Sequence, residues 1–296
     1  MTSPATIALL GTGLLGKAVA QRLQATGHRV LAYNRTRAKA LPLVLLGVQV
    51  VEHPWDALVD SECILLLLSD IQAIRTVLLD PRCRKELPGR TVIQMGTIGP
   101  DQSLDLQREV EQAGGRYLEA PVLGSIAEAV SGTLLVMVGA QEEQFLQWKP
   151  VLMSLDPGPR LIGPVGSASA LKLALNYIIA AEIAAFSLAL GLVQRSAVPV
   201  NEFMHILQRS ALYAPMFQKK LPRLLTRRYE DPNFSTEHLL KDLDLFLSAA
   251  GRLGLECGPA EGVRPLLLKT MGLNLRNADY SSLFEVINPP IDGDRP

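Results

Sequence analysis

Short apolar runs alternate with amphipathic stretches through the first half of the chain. Runs such as Ile64–Leu68 are apolar throughout, which is typical of strands buried on both faces of a sheet. The other predicted strands are Thr6–Leu10, Arg29–Tyr33, Val48–Val51, Thr91–Gln94, Arg116–Glu119 and Leu134–Val138. The predicted helices between them are Leu14–Ala25, Arg37–Leu46, Ile71–Leu78 and Asp101–Ala113. Strand–helix alternation with short loops predicts an α/β fold with a doubly wound parallel sheet.

A stretch with glycine and proline, Gly163–Gly166, separates this half from one in which most patterns are helical. We therefore predict two domains, over residues 1–163 and 164–296, the second of them all-α. Its first helix is apolar from Leu173 to Val193, long enough to span a bilayer. It contains Asn176 and lacks flanking membrane anchors, which favours a buried helix. The remaining predicted features are a loop over Arg223–Phe234, a helix over Leu239–Leu253 and a disordered tail over Asn288–Pro296.

The charge and cysteine content narrow the class of protein. The 29 basic residues balance 29 acidic ones, which argues against a nucleic-acid or anionic-membrane partner. The three cysteines are scattered and contain no C-x-x-C pair, so we expect a reducing, cytoplasmic environment. The four histidines show no metal-ligand spacing, and the N-terminus lacks the charge pattern of a signal peptide. No metal site is predicted.

A glycine motif follows the first predicted strand and opens the first predicted helix. It reads Gly11-Thr12-Gly13-Leu14-Leu15-Gly16. The glycines permit a tight turn, and the helix N-terminus offers N–H groups to a pyrophosphate. With Lys17 the motif also fits a triphosphate-binding loop, but Ala18 stands where that loop needs a hydroxyl for Mg²⁺. We predict a dinucleotide site, with a purely structural glycine turn as the alternative.

The end of the second predicted strand indicates which dinucleotide binds. An NAD site usually places an acidic residue about 20 positions after the glycines, where it binds the ribose 2′-hydroxyl. Here Asn34 occupies that place, and Arg35, Thr36 and Arg37 follow. No carboxylate repels a 2′-phosphate, and two arginines are available to bind it. This predicts NADP(H), with a solvated basic turn as the alternative.

A second anion-binding turn is predicted after the strand that ends at Glu119. Ser125 and Glu128 form an S-x-x-E capping box at the start of a short helix. Because a helix start also attracts anions, the N–H groups of Gly124 and Ser125 are candidates to bind a substrate carboxylate. The two interpretations are compatible.

Lys172 and Asn176 stand four residues apart at the start of the long apolar helix, on one face. Polar groups in such surroundings need a partner or a function. The positive helix N-terminus and the apolar surroundings both favour release of the lysine proton, which suits a general acid. A snorkelling lysine is the alternative. Lys241, in Lys241-Asp242-Leu-Asp244, begins a later helix and in isolation indicates only a solvated helix face.

Taken in order, these motifs resemble those of the β-hydroxyacid dehydrogenases, the family that includes 3-hydroxyisobutyrate and 6-phosphogluconate dehydrogenases. Within it, the chain looks most like the glyoxylate/succinic semialdehyde reductases. The resemblance runs from about Thr6 to about Ile287. Its motifs are Gly11–Gly16, Asn34-Arg35-Thr36, Gln94-Met-Gly-Thr97, Glu119–Thr133, Gly163–Asn176 and Lys241-Asp242-Leu243.

The resemblance implies a Rossmann-type domain followed by an all-helical domain, and a homodimer or homotetramer. It implies that Lys172 is the catalytic acid/base and Asn176 its substrate-binding neighbour. It further implies that Ser69 and Thr97 contact the cofactor and that Lys241 contacts cofactor or substrate. The expected reaction is reduction of a small aldehyde acid by NADPH.

One position departs from the family pattern. Relatives commonly have Ser-Gly-Gly after Pro-Val, whereas this chain has Leu123-Gly124-Ser125. We expect Leu123, Gly124 and Ser125 to line the substrate site, with the change at 123 altering substrate choice. Other interpretations are a 3-hydroxyisobutyrate-type dehydrogenase, an imine reductase and a non-catalytic NADP-binding protein. The last two groups usually lack a lysine at position 172.

Overall fold

The computed structural model describes residues 4–290. They form two compact units, which divide between Lys172 and Leu173. The division falls inside a long helix that begins at Ser167. The boundary predicted between residues 163 and 164 lies just before this helix, where the last strand ends.

The first unit alternates strands with helices, as the sequence pattern predicts. Its strands are β1 (Thr6–Leu10), β2 (Arg29–Tyr33), β3 (Gln49–Val50), β4 (Cys63–Leu66), β5 (Thr91–Gln94), β6 (Arg116–Glu119), β7 (Val122–Leu123), β8 (Leu135–Gly139) and β9 (Arg160–Gly163). Its helices are α1 (Leu14–Ala25), α2 (Pro54–Leu58), α3 (Ile71–Leu78), α4 (Pro81–Lys85), α5 (Pro100–Gln112), α6 (Ile126–Ser131) and α7 (Glu142–Leu152). The helix predicted over Arg37–Leu46 is wrong. Two short 3-10 turns, Arg37–Lys39 and Leu41–Leu46, replace it because Pro42 has no N–H to donate.

The strands form one sheet in the order β3-β2-β1-β4-β5-β6-β8-β7, with β9 paired to β8. All pairs from β3 to β6 are parallel. β8 runs antiparallel to β6 and β7, so the sheet is predominantly rather than wholly parallel. Since β1 lies between β2 and β4, the direction of winding reverses there, and such reversals place a ligand crevice at the carboxyl ends of the strands.

Apolar side chains cover both faces of this sheet. Ile7 and Leu9 of β1 belong to one buried cluster, whereas Ala8 and Leu10 belong to another. Successive strand residues point to opposite faces, so two clusters mean that both faces are packed. This arrangement, followed by helices, confirms the predicted fold class.

The second unit is helical. After α8 (Ser167–Arg195), its helices are α9 (Val200–Gln208), α10 (Pro215–Thr226), α11 (Thr236–Arg252), α12 (Gly258–Thr270) and α13 (Phe284–Ile287). Arg223, predicted to begin a loop, lies in the last turn of α10. The helix continues because Pro222 follows seven helical residues and interrupts only one backbone bond.

Helix α8 is the single helix in residues 4–290 whose length and composition would allow it to cross a membrane. Ala180 and Ile183 pack into one core cluster of the second unit, and Phe186 and Leu190 into another. Such contacts are typical of a helix that packs one face against a core.

The first residue of the tail that was predicted to be disordered, Asn288, is held by hydrogen bonds. Asn288 is buried, donates to Oε1 of Gln194 at 2.8 Å and accepts from Arg195 at 2.7 Å. These bonds tie it to the end of α8, so the prediction is wrong at Asn288. Pro289 and Pro290 are also among the described residues, and residues 291–296 of the predicted tail lie outside them.

Candidate functional site

The predicted cofactor residues of the first unit follow the carboxyl ends of four neighbouring parallel strands. Gly11 follows β1, Asn34 follows β2, Ser69 follows β4 and Thr97 follows β5. The carboxyl ends of parallel strands share one edge of a sheet. The fold therefore brings these four positions to a common edge, at the point where the winding reverses.

The glycine turn at this edge has no room for side chains at two positions. Gly11 has a φ of +108°, and a Cβ there would overlap the carbonyl oxygen of Leu67. A Cβ on Gly16 would overlap the carbonyl oxygen of Gly11. The turn thus needs glycine at both positions for its own packing.

The start of α1 suits an anion. Its N-cap, Gly13, has no side chain to accept from the first turn, and that turn contains no acidic residue. A Cβ at Gly13 would meet open space, and Leu14 beside it is 55% exposed. The first N–H groups of a helix need acceptors, and a pyrophosphate oxygen is a suitable one. Residues 11–16 therefore fit a dinucleotide.

Asn34 holds two loops of this edge together. Its Oδ1 accepts from the N–H of Thr12 at 3.2 Å, and its Nδ2 donates to the carbonyl of Thr36 at 2.9 Å. Arg35 and Arg37 on either side of Thr36 are exposed, and neither has an ion pair among residues 4–290. Two exposed guanidiniums without carboxylate partners suit a phosphate ester.

The neighbouring loops are also built by local hydrogen bonds. The hydroxyl of Ser69 donates to Asp70 at 2.8 Å, and Asp70 caps α3 by accepting from the N–H of Ala73 at 2.8 Å. At the end of β5, the side chain of Gln94 accepts from the N–H of Gly96 at 2.6 Å and donates to the carbonyl of Gly96 at 3.0 Å. These two hydrogen bonds shape the turn that leads to Thr97.

The capping box at Ser125 forms as predicted. Glu128 accepts from the N–H of Ser125 at 2.8 Å and also from its hydroxyl. The N–H of Ser125, one of the two that the sequence assigned to a substrate carboxylate, is thus engaged by an internal carboxylate. Gly124 before it has a φ of +132°, and Leu123 is half-buried at the end of β7. A substrate carboxylate would have to displace Glu128 to reach Ser125.

Glu119 lay inside a predicted motif, but no role was assigned to it. It is 1% exposed at the end of β6, and five donors reach its carboxylate at 2.5–3.0 Å. The donors are the N–H groups of Gly166, Ala168 and Ser169 and the hydroxyls of Ser103 and Ser169. The sequence does contain a signal for this cluster, because Glu119 ends a buried strand and a buried carboxylate requires hydrogen-bond donors.

A tyrosine extends this cluster. The hydroxyl of Ser103 donates its hydrogen to Glu119. The oxygen of the same hydroxyl therefore accepts from the phenol of Tyr117, 2.8 Å away. Burial raises the pKa of Tyr117, so its hydroxyl stays protonated and can donate this hydrogen bond.

In the second unit, Asp242 joins two predicted site residues. Its Oδ2 accepts from Nδ2 of Asn176 at 2.6 Å, and its Oδ1 lies 2.9 Å from the ammonium of Lys241. Asp242 is 2% exposed and Asn176 is 3% exposed. The sequence drew attention to Lys241-Asp242 but did not connect it with Asn176.

The carboxylate of Asp242 also determines the orientation of the Asn176 amide. An ionised carboxylate only accepts, so the NH₂ group of Asn176 must face it. The amide oxygen then points away, and it has no hydrogen-bond partner among the residues that the structure describes. It is an acceptor available to an ammonium or hydroxyl group.

Lys172 and Asn176 are both on α8, one turn apart, and Lys172 is partly buried. Lys172 and the cofactor residues other than Lys241 belong to the first unit, whereas Asn176 and Lys241 belong to the second. Within residues 4–290, no group of His, Cys, Asp and Glu is arranged to hold a metal ion.

Both parts of the chain match models of known protein families. Residues 6–157 match the family model described as the NAD-binding domain of 6-phosphogluconate dehydrogenase. Residues 166–287 match the model described as NAD-binding of NADP-dependent 3-hydroxyisobutyrate dehydrogenase. The chain belongs to the β-hydroxyacid dehydrogenase family. Its cofactor is therefore a nicotinamide dinucleotide.

Two full-length relatives are similar over 283 residues, 95% of this chain. Glyoxylate/succinic semialdehyde reductase 1 of Arabidopsis thaliana is 29% identical, with 98% of its length covered. The 2-hydroxy-3-oxopropionate reductase of Escherichia coli is 30% identical, with 96% covered. The chain spans about half the length, 47%, of another relative, the cytokine-like nuclear factor N-PAC of Drosophila melanogaster, which is 27% identical.

A solved structure shows the same fold. The 3-hydroxyisobutyrate dehydrogenase of Mycobacterium tuberculosis, determined with L-serine, superposes with a TM-score of 0.86. The match covers 96% of this chain and 99% of that one, at 22% sequence identity.

Proposed function

We propose that this protein is an NADPH-dependent reductase of small aldehyde acids, with glyoxylate and succinic semialdehyde as the leading substrates. The observation that carries the proposal is the pair on α8. Lys172 can donate a proton, and one turn later Asn176 presents a buried acceptor oxygen whose direction Asp242 determines. The names of the Arabidopsis and Escherichia coli relatives support the substrate class.

Lys172 is the proposed proton donor. Reduction of an aldehyde leaves negative charge on the carbonyl oxygen, and an ammonium is the donor that neutralises it. The chemistry that the bound cofactor supplies is transfer of a hydride to the carbonyl carbon. The proton on the product hydroxyl then comes from Lys172, which regains one from solvent.

Asn176 orients this proton transfer. Its amide oxygen accepts, so this oxygen can hold the Lys172 ammonium or the product hydroxyl, and Nδ2 has a second N–H besides the one that it donates to Asp242. The geometry around Asp242 favours donors as the partners of the amide oxygen.

On the cofactor side, residues 11–16 bind the pyrophosphate, and Asn34 and Thr36 shape the turn that presents Arg35. Ser69 and Thr97 lie at the same sheet edge. Lys241 contributes a positive charge next to Asp242. On the substrate side, Leu123, Gly124 and Ser125 receive the carboxylate, which replaces Glu128 at the Ser125 N–H.

A panel of substrates tests this function. NADPH oxidation is measured with aldehyde acids and keto acids of two to five carbons, together with a cyclic imine. We expect turnover with glyoxylate or succinic semialdehyde to exceed the others. Turnover of the imine alone would identify an imine reductase instead, and NADPH binding without turnover of any compound would identify a non-catalytic protein.

Replacing Arg35 and Arg37 together with glutamine is expected to raise the KM for NADPH by about 10–100-fold, since a charge-assisted hydrogen bond contributes about 1.5–3 kcal/mol. NADH carries no 2′-phosphate, so its KM should change little. Steady-state kinetics with both cofactors measures the ratio. The matched control is Arg108→Gln, a change on the exposed face of α5. Equal losses for the two cofactors would contradict NADPH preference.

Replacing Leu123 with serine restores the hydroxyl common in the family and is expected to change substrate ranking. A hydroxyl that binds a carboxylate contributes about tenfold or more in KM, because the hydrogen bond is charge-assisted. The measurement is kcat/KM across the aldehyde-acid panel. Unchanged values for every acid would show that position 123 lies outside the substrate site.

We also propose that the protein is a homodimer or homotetramer. Ile178, Leu188 and Leu192 of α8 are 48–69% exposed, although Ala180, Ile183, Phe186 and Leu190 of the same helix are buried. Large apolar side chains gathered on one exposed face are typical of protein–protein interfaces. Sedimentation velocity measures the assembly, and Leu188→Glu with Leu192→Glu should shift it to monomer.

A further inference from the structure

The first turn of α8 is attached to the sheet through one side chain. Glu119 ends β6, and its carboxylate accepts from three N–H groups at the start of α8. These contacts join residues 47 to 50 positions apart in the chain. Ser169, which also donates through its hydroxyl, lies three residues before Lys172, so one helical turn separates this anchor from the proposed proton donor.

The carboxylate suits this place electrostatically as well as geometrically. The first N–H groups of a helix have no partners within the helix and carry partial positive charge. Glu119 satisfies three of them at once. Few other groups can do so, because an amide side chain offers one acceptor oxygen where five donors converge.

Gly139 shows how closely the surroundings fit this carboxylate. A Cβ at Gly139, on β8, would overlap Oε1 of Glu119. Ser103 on α5 donates to the other oxygen and accepts from Tyr117. The sheet, α5 and the start of α8 therefore all meet at one buried group.

We propose that Glu119 is a positioning residue for the reaction, which holds the first turn of α8 so that Lys172 is in place to deliver its proton. This inference rests on the proposed role of Lys172. Glu119 is 1% exposed, and it acts through the backbone of α8, to which it is bonded. Because a displacement of about 1 Å at a reacting group can cost about 10²-fold in rate, a loosened first turn lowers the rate without removing a catalytic group.

The test is a double-mutant cycle with Glu119→Gln and Lys172→Ala. The glutamine keeps the size of the side chain but loses one acceptor. We expect Glu119→Gln to lower kcat by about 10–100-fold, with the KM for aldehyde acid and the Kd for NADPH within about twofold of wild type. In the Lys172→Ala background the same change should have no further effect on kcat, because there is no lysine left to position.

Asp156→Asn is the matched control. Asp156 is also buried in the first unit and accepts from two backbone N–H groups, those of Val136 and Gly158, each at 2.7 Å. Neither group belongs to α8 or to the cofactor edge. Asp156→Asn should lower the midpoint of urea unfolding and leave kcat unchanged in both backgrounds.

The outcomes separate the two proposals. If Lys172→Ala retains most of the turnover, the proposed function fails, whatever Glu119→Gln does. If Lys172→Ala collapses turnover but Glu119→Gln leaves kcat unchanged, or lowers it equally in both backgrounds, the positioning role fails. Should Glu119→Gln not fold, Ser169→Ala removes a single bond to Glu119 and takes its place in the cycle. A smaller fall in kcat, absent without Lys172, is then expected.

Discussion

Replacing Lys172 with alanine is expected to lower kcat by about 10²–10⁴-fold, the range that positioned acid–base groups contribute. The Kd for NADPH should stay near wild type, because the predicted pyrophosphate and 2′-phosphate contacts come from the glycine turn and the arginines. Loss of kcat without loss of cofactor binding is the pattern of a group that acts in the transition state. Stopped-flow measurement of NADPH oxidation and fluorescence titration of NADPH give the two quantities.

A second variant, Lys172→Arg, separates the role of the proton from the role of the positive charge. It keeps the positive charge, but a guanidinium does not give up its proton in proteins. If Lys172 serves as a proton donor, the arginine variant should be nearly as slow as the alanine variant. Recovery of most of the rate in Lys172→Arg would mean that the charge alone matters and that the proton comes from elsewhere.

Replacing Asp279 with alanine is expected to lower the free energy of unfolding by about 3–5 kcal/mol, the cost of leaving one partner of a buried ion pair alone. The ammonium of Lys220 lies 2.7 and 2.8 Å from the two oxygens of Asp279, and 4.2 Å from the ring centre of Tyr280. The side chains of Lys220 and Asp279 are 13% and 1% exposed. Burial lowers the pKa of Lys220, while Asp279 acts in the opposite sense.

Urea unfolding measures this loss, as a lower midpoint at unchanged slope. Asp244→Ala is the control. Asp244 also forms an ion pair, with Arg264, but the two side chains of this pair are 43% and 44% exposed. Exposed pairs are screened by water, so that midpoint should hardly move. A second variant, Asp279→Asn with Lys220→Met, removes both charges and should recover much of the loss. Equal midpoints for Asp279→Ala and Asp244→Ala would contradict the argument.

The strands and the glycine turn were predictable because their signals are local. Apolar runs of strand length identified β1, β2, β5 and β6 with their observed ends. The helix predicted after β2 is absent for a local reason too, since Pro42 has no N–H to continue an α-helix from Arg37. The strand β8 was predicted but its antiparallel direction was not, because strand direction depends on connections that no short pattern reveals.

The candidate site divides in the same way. Spacing alone placed Lys172 and Asn176 on one helix face, and the capping box at Ser125 was read correctly from its four residues. That Glu128 would engage both Ser125 donors did not follow, because a motif does not say which acceptor its donors choose.

By itself, the sequence determined the fold class, the dinucleotide turn and the pair on α8, since each depends on residues within one or two turns or strands. Only the tertiary structure decided how that pair is held. Glu119 reaches α8 across 47 to 50 residues, and Asp242 reaches Asn176 across 66. Both are buried carboxylates, and a buried charge is stable only where the folded chain brings donors to it. Such donors come together from distant segments, so their convergence is a property of the fold.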